Sequence, residues 1–410
     1  MRRRDLDGIG VFHLKPGAIR SKTSSASSEC NARMETGSPP LSLAIVGCGR
    51  VVEQCHLPAL RTLSGLKVVA LVDNNPGRLD EVANQLGVQR RFTDYRTMLD
   101  EAGVDAVAVC APPQFHAAIG LAVLDAGKHL FVEKPLALSL KDAGQLVDRA
   151  AAAPGKALAG FNLRWHRLVR QARSMIDGGS LGPLASMHTT FTSATAFPGQ
   201  GSPWRRRPDL GGSVLFDLGI HHFDLWRFLT QCEVREVFAY RRTDGSGVES
   251  VTVSAMMANG VPVTSSFSHG VSDTNELEIC GRKARLRMSC YRFDSLHLEN
   301  NAAAQGAVRN WLNAAMGAAR KLPQAAARLR RGGDIGASYR AQWQHFIDAI
   351  RNDTPIQSDF EQGRHALQVT LAAVESASCG RPVRVAQAAH AITPLIAAAP
   401  PNRIVGQGPT

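Results

Sequence analysis

The chain has no long apolar run. None of its 410 residues lies in a stretch close to the ~18 uninterrupted apolar residues that a membrane-spanning helix requires. The start, Met1 to Arg4, resembles the basic end of a secretory leader. However, Asp5, Asp7, His13, Lys15 and Pro16 break up the segment where an apolar core would follow. A cytoplasmic protein with no membrane partner is therefore expected. None of the eight cysteines forms a C-x-x-C pair, and they scatter along the whole chain. This argues against a disulfide framework and against a zinc site, and no metal is expected. Cys110, inside the apolar run Val107–Ala111, reads as a small buried hydrophobe. Acidic residues are in deficit, 35 against 47 Lys and Arg, for a net charge of +12. The excess is concentrated in residues 1–33 and in Arg309, Arg320, Lys321, Arg328, Arg330 and Arg331, a stretch with no acid. No nucleic-acid motif accompanies either cluster, so no nucleic-acid partner is expected. The two readings left are a solvated basic face and attraction of an anionic substrate.

What is present is length and periodicity. With 44% apolar residues, the chain can build two ordinary cores. Residues 1–40 show no hydrophobic period, contain the run Ser21–Ser28 and end in Pro39-Pro40, so a disordered extension is expected there. Met34, just ahead of the first strand, is an expected alternative start. From Leu41 the pattern changes. Strands are expected at Leu43–Gly47, Lys67–Asp73, Arg91–Phe92, Ala106–Ala111, His129–Glu133 and Ala157–Phe161. The helices expected between them are Glu53–Leu63, Gly77–Leu86, Tyr95–Ala102, Phe115–Ala126 and Ser139–Ala153, with Gly87, Gly103 and Gly127 as C-terminal caps. Apolar strands separated by amphipathic helices make βαβ units and a parallel sheet.

After about residue 163 the texture differs. A helix over Arg164–Asp177 is followed by alternating segments at Leu184–Thr192, Val234–Arg241, Glu249–Met257, Val261–His269, Glu276–Cys280 and Ala284–Met288. These read as an antiparallel sheet. Helices are expected over residues 307–331, Tyr339–Arg351 and Gln362–Cys379, and a frayed tail from Ala386. The expected organisation is thus an α/β domain with a parallel sheet over 41–163, an α+β domain over 164–385 with a mainly antiparallel sheet, and a flexible tail over 386–410.

The first candidate site lies at Gly47-Cys48-Gly49-Arg50-Val51-Val52, which reads as strand, glycine turn and helix start. Gly47 permits the turn, and Gly49 lets backbone approach a pyrophosphate seated on the helix N-terminus. Val52 stands where the fingerprint has its third glycine, the one that serves helix–sheet packing. Asp73, 26 residues after Gly47, ends the second strand, where a carboxylate accepts hydrogen bonds from the adenosine ribose. That carboxylate argues for NAD. Arg78 keeps NADP open, since an arginine can take a 2′-phosphate, unless it is simply a helix-surface residue.

Three segments then carry a resemblance. Val109–His116, Ala126–Pro135 with its Glu133-Lys134-Pro135 motif, and Gly211–Asp224 with its D-x-G-x-H-x-x-D pattern are similar to the glucose–fructose oxidoreductase / inositol dehydrogenase / MocA family. The similarity runs from about Leu41 to Val385. It implies an N-terminal Rossmann domain and a C-terminal substrate-binding and oligomerisation domain. It also implies an NAD(P)-dependent oxidoreductase acting on a sugar, cyclitol or sugar derivative, and a homodimer or homotetramer. Lys134 is implied beside nicotinamide and substrate, with a cis bond to Pro135. His221 is implied as proton acceptor or donor, with Asp217 orienting it or binding substrate. Pro112, His116 and Glu133 fall where the family contacts cofactor. Asp217 and His221, four apart in a helical segment, share one face, and Asp224 continues it. His222 is the alternative base, with a structural role as the competing reading. Asn162, Arg164 and Trp165 sit where the chain crosses between domains. Arg164 is either a substrate contact or one half of an ion pair. Trp204, followed by three arginines, reads as a substrate-side loop or a solvated turn. The same scaffold in the family also supports an NAD-dependent glycosidase and a non-enzymatic sensor.

Overall fold

The computed structural model describes residues 39–194, 207, 210–243, 248–300 and 333–385. All but the end of the expected N-terminal extension, Trp204, the basic helix at 307–331 and the tail from Ala386 lie outside these residues.

A six-stranded sheet comprises β1 (Leu41–Val46), β2 (Leu66–Val72), β3 (Arg90–Phe92), β4 (Ala106–Val109), β5 (His129–Glu133) and β6 (Ala157–Gly160). Its order is β3-β2-β1-β4-β5-β6, and every pairing is parallel. Alternation along β1 shows why this sheet is covered on both sides. Leu43 and Ile45 enter one core, while Ala44 and Val46 enter the other. One face carries α1 (Leu57–Leu60) and α2 (Pro76–Leu86). The other carries α3 (Tyr95–Glu101), α4 (His116–Asp125) and α5 (Leu140–Ala152). The glycines expected as caps, Gly87, Gly103 and Gly127, all take left-handed φ, at 68°, 57° and 68°.

Residues Asn162–Trp165 form a 3-10 turn rather than the first turn of a long helix, and α6 (Arg167–Asp177) begins after the extended His166. The second sheet contains β7 (Leu184–Ser193), β8 (Val234–Thr243), β9 (Glu249–Met257), β10 (Pro262–His269), β11 (Thr274–Gly281), β12 (Ala284–Ser289), β13 (Leu296–Asn300) and β14 (Val383–Arg384). Its order is β13-β12-β11-β7-β10-β9-β8-β14. The antiparallel expectation holds for every pair except β7 with β10, which is parallel. The exception follows from connectivity. β8–β10 form one meander and β11–β13 another, and β7 lies between them.

Between β7 and β8 runs α7 (Ile220–Thr230), and two helices close the fold, α8 (Gly333–Arg351) and α9 (Phe360–Cys379). They join the two sheets. Trp343, Phe346 and Ile347 of α8 return to the core against β1. On α9, Ala366, Leu367 and Leu371 pack in the first sheet's core, while Val369, Ala372 and Ala373 pack in the second's. Among the described residues no helix is long and apolar enough to cross a membrane.

Candidate active site

The strand order reverses direction between β1 and β4, and a crevice for ligands opens there at the carboxyl ends of the strands. Gly47 fills the tightest point. Its φ is +96°, and a Cβ would stand 2.6 Å from the Ala111 backbone nitrogen. The turn is held by Asp73, whose Oδ2 accepts from the Cys48 backbone N–H at 2.7 Å and whose Oδ1 accepts from that of Asn75 at 2.9 Å. Gly49 has the opposite environment. A Cβ there would meet nothing within 4 Å, so the space before the helix is open, and Arg50 is exposed beside it with Val51 half-buried. Val52, in place of the third glycine, is fully buried, and the chain opens as a π-helical turn over Val52–His56 before α1. Arg78 is no free helix-surface residue. Its Nε donates to the Cys48 carbonyl at 2.7 Å, and its guanidinium also pairs with Glu53 and Glu81.

The chemistry-bearing groups gather at the end of β5. Lys134, joined to Pro135 by a cis bond, directs Nζ to the Asp217 carbonyl oxygen at 2.7 Å and to Asp217 Oδ1 at 3.1 Å. Asp217 sits in a second π-helical turn, Leu215–Gly219, that leads into α7. Its other oxygen lies 3.3 Å from His269 Nε2, close enough for charge pairing but poorly aligned for a hydrogen bond. The His221 ring lies between Phe161 and Phe191, 6.4 Å and 6.1 Å away between centroids. Its Nδ1 is buried without a hydrogen-bond partner. Burial first, and then the Lys134 cation, push His221 well below the usual histidine range, while Asp217 acts in the opposite sense. The ring is therefore neutral at ordinary pH. His269 escaped the sequence reading. It belongs to no motif, and only the register of β10 brings it to Asp217.

Comparison with known proteins agrees with this fold. The profile of the Gfo/Idh/MocA oxidoreductase family, NAD-binding Rossmann fold, matches residues 41–161, and that of the GFO/IDH/MocA C-terminal domain matches residues 169–287. The chain belongs to this family. Myo-inositol 2-dehydrogenase of Thermotoga maritima is 29% identical over 206 residues, a match spanning 50% of this chain and only 58% of that protein. The NAD(+)-dependent scyllo-inositol 2-dehydrogenase of Bacillus subtilis is 24% identical over 357 residues, covering 83% of this chain and 95% of the relative. The WlbA dehydrogenase of Bordetella pertussis, solved with NADH and UDP-GlcNAcA, superposes with a TM-score of 0.72 at 19% identity, over 85% of this chain and 98% of that one.

As a Gfo/Idh/MocA oxidoreductase the chain has an NAD-binding Rossmann fold, and its residues fit the dinucleotide. The open space at Gly49 suits a pyrophosphate at a helix start, and Asp73 stands at the end of β2.

Several residues flagged in the sequence do structural work instead. His116 is buried, with Nδ1 2.7 Å from the Pro135 carbonyl and Nε2 2.8 Å from the Ala111 carbonyl, which leaves no ring nitrogen for a cofactor. It ties the loop beginning at Pro112 to the loop after β5. His222 bonds Thr189 and Asn275 and stacks on Phe191, so its role is structural. Asn162 donates to Ser338 at 3.1 Å, and Trp165 stacks on His345 at 4.4 Å, both fixing α8.

Arg164 is corrected from substrate contact to ion pair. It is 5% exposed and grips Asp224 through Nε at 2.7 Å and a terminal nitrogen at 2.6 Å. It also donates to the Gln357 carbonyl and to Gln362. This clamp sets Asp224 apart from the face expected with Asp217 and His221, and it anchors α7 beneath the site. Arg164→Ala leaves a buried carboxylate unpaired and should cost about 3–5 kcal/mol in denaturant unfolding. The double variant with Asp224→Leu should lose markedly less. Equal losses would show that the pair is not the cause.

Proposed function

We propose that this chain is an NAD-dependent dehydrogenase that transfers hydride between nicotinamide and a hydroxyl-bearing carbon of a sugar, cyclitol or sugar derivative. The observation that carries this reading is the valence of Lys134. An ammonium group has three N–H donors. Two point to Asp217, and among the described residues the third has no acceptor. That third donor is free to hold the reacting oxygen of the substrate. Asp217 keeps the ammonium in place from one side. His221, neutral and near, takes the hydroxyl proton on oxidation and returns it on reduction. With Nδ1 sealed in protein, the transfer is assigned to Nε2. When bound, the nicotinamide supplies the hydride acceptor. Phe161 and Phe191, both buried, pack around His221 and fix its ring. Substrate contacts from Asp217, His221 and Trp204, the last outside the described residues, belong to the same reading. The presence of Lys134, Asp217 and His221 together favours turnover over a sensor role.

The relatives named as inositol dehydrogenases make cyclitols the first compounds to test. Asp73 favours NAD over NADP, because a carboxylate at the ribose repels a 2′-phosphate and Arg78 is already held by two acids. The test is cofactor-linked turnover of a cyclitol and sugar panel with NAD+ and NADP+ in parallel. Turnover with NAD+ supports the reading, and exclusive use of NADP+ would reverse the cofactor assignment.

The chain is also proposed to be a homodimer or homotetramer through the outer face of the second sheet. There Thr190, Thr252, Thr264 and Ser266, with Glu278 and Arg287, line a groove of about 610 Å³. Tyr240 stands 69% exposed on the same face of β8 as Phe238. Light scattering at micromolar concentration should give at least twice the chain mass, and a stable monomer would sink the idea.

A further inference from the structure

Behind Lys134 lies a chain of buried polar groups. Trp343 on α8 donates its indole N–H to His56 Nδ1 at 3.0 Å. Indole is only a donor, so Nδ1 is the acceptor and the ring proton sits on Nε2. Nε2 lies 2.9 Å from Glu133 Oε1, and the other oxygen of Glu133 accepts from the Lys134 backbone N–H at 3.1 Å. His56 and Trp343 are 0% exposed and Glu133 is 7% exposed. Packing fixes every member. Trp343 stacks on Phe131 of β5 at 4.5 Å, Tyr339 meets the His56 ring edge-on, and Gly160 leaves the room that Glu133 occupies. Burial alone would raise Glu133. The hydrogen bond from His56, with the Lys134 cation and backbone N–H, outweighs it and holds the carboxyl below its usual range. The anion is thus maintained one residue from the ammonium that binds Asp217.

We propose that His56 and Trp343 are positioning residues for Lys134: the relay Trp343–His56–Glu133 locks the lysine's peptide and aims its ammonium at Asp217. The inference rests on Lys134 being the group that meets the reacting oxygen, but its geometry is testable without turnover. A lysine whose anchoring peptide is loose samples many rotamers, and small misplacements of a reacting group are expensive in rate.

The test uses the full chain with His56→Leu, His56→Gln and Trp343→Phe. Glutamine carries an amide NH2 that donates and a carbonyl oxygen that accepts, so it can replace both contacts of the ring; leucine replaces neither. Each protein is acylated at limiting dose with an acetyl N-hydroxysuccinimide ester, and mass spectrometry reads Lys134 relative to the exposed Lys67 and Lys141. Labelling of Lys134 should rise about tenfold in His56→Leu and roughly threefold in Trp343→Phe, and stay within about twofold of the parent in His56→Gln. With a cyclitol that the parent turns over, kcat should fall about 100-fold in His56→Leu with KM nearly unchanged. Lys134 labelling equal to the parent in a His56→Leu protein that still binds NADH would overturn the proposal. So would a His56→Gln variant as impaired as His56→Leu. If His56→Leu does not fold, Trp343→Phe and His56→Gln decide alone. A parent that binds NADH but turns over no panel member counts against the proposed activity, while the labelling ratios still decide the relay.

Discussion

Replacing Lys134 with methionine should lower kcat by about three orders of magnitude, within the range general acid–base groups contribute. The methionine keeps an unbranched apolar stem, one atom shorter, and removes both contacts to Asp217. His221→Gln should cost about 100-fold. The two losses should not add, because the lysine holds the oxygen whose proton the imidazole takes, and groups acting as a unit share one effect. The pH profile separates them. His221 must be neutral to accept a proton, and its pKa lies well below the ordinary histidine value, with burial as the largest cause. Oxidation by the parent should therefore hold its rate through neutral pH and fall only in acid. His221→Gln should remove that acid limb, whereas Lys134→Met should keep it at a much lower plateau and displace it to higher pH, because the lysine cation no longer holds His221 down. Stopped-flow formation of NADH across the pH range reads all three. Retention of the acid limb in His221→Gln would show that another group is the base.

The second large effect is on stability in acid. His222 and His166 are fully buried, and burial pushes both down to about 4. In the unfolded chain each titrates near 6.5. Below that value the unfolded state binds protons that the folded state refuses. Stability is therefore complete above about pH 6.5 and is lost as the pH falls toward 4. At pH 5 the loss is about 2 kcal/mol per ring, on the order of 4 kcal/mol for the two. That is a large share of the margin by which a folded chain exceeds its unfolded state. Urea unfolding at pH 7.5 and pH 5 should show the midpoint falling steeply, and His222→Gln should flatten the slope only in part, because buried His166, His221 and His116 still resist protonation. A midpoint independent of pH over this window would mean that these rings are protonated in the folded protein.

The two cases show where sequence reasoning reached and where it stopped. The first sheet was legible because its central strands β1, β4 and β5 are apolar on both faces, and glycines with left-handed φ end α2 and α4 where the pattern breaks. Lys134, Asp217 and His221 were legible through their motifs, and the structure places all three together. The role of Arg164 was not, because an arginine next to an expected pocket looks the same whether it faces a ligand or Asp224, 60 residues away. His56 carried no local signal at all. Its partners are 77 and 287 residues distant and come together only when α8 returns to the first sheet. The two π-helical turns, Val52–His56 and Leu215–Gly219, are likewise invisible to a 3.6-residue period, yet His56 and Asp217 lie in them. Periodicity reports which face of an element is buried, not which distant polar group meets it there.

Transfer of deuterium from carbon to nicotinamide tests the proposed activity most directly. Perdeuterated myo-inositol, scyllo-inositol and D-glucose would each be incubated with the protein and NAD+, and the dinucleotide analysed by mass spectrometry. The expected result is NADH one mass unit heavier from at least one of these compounds, abolished by Lys134→Met. Tight NADH binding with no deuterium delivered from any of them would contradict a hydride-transferring dehydrogenase of cyclitols and sugars.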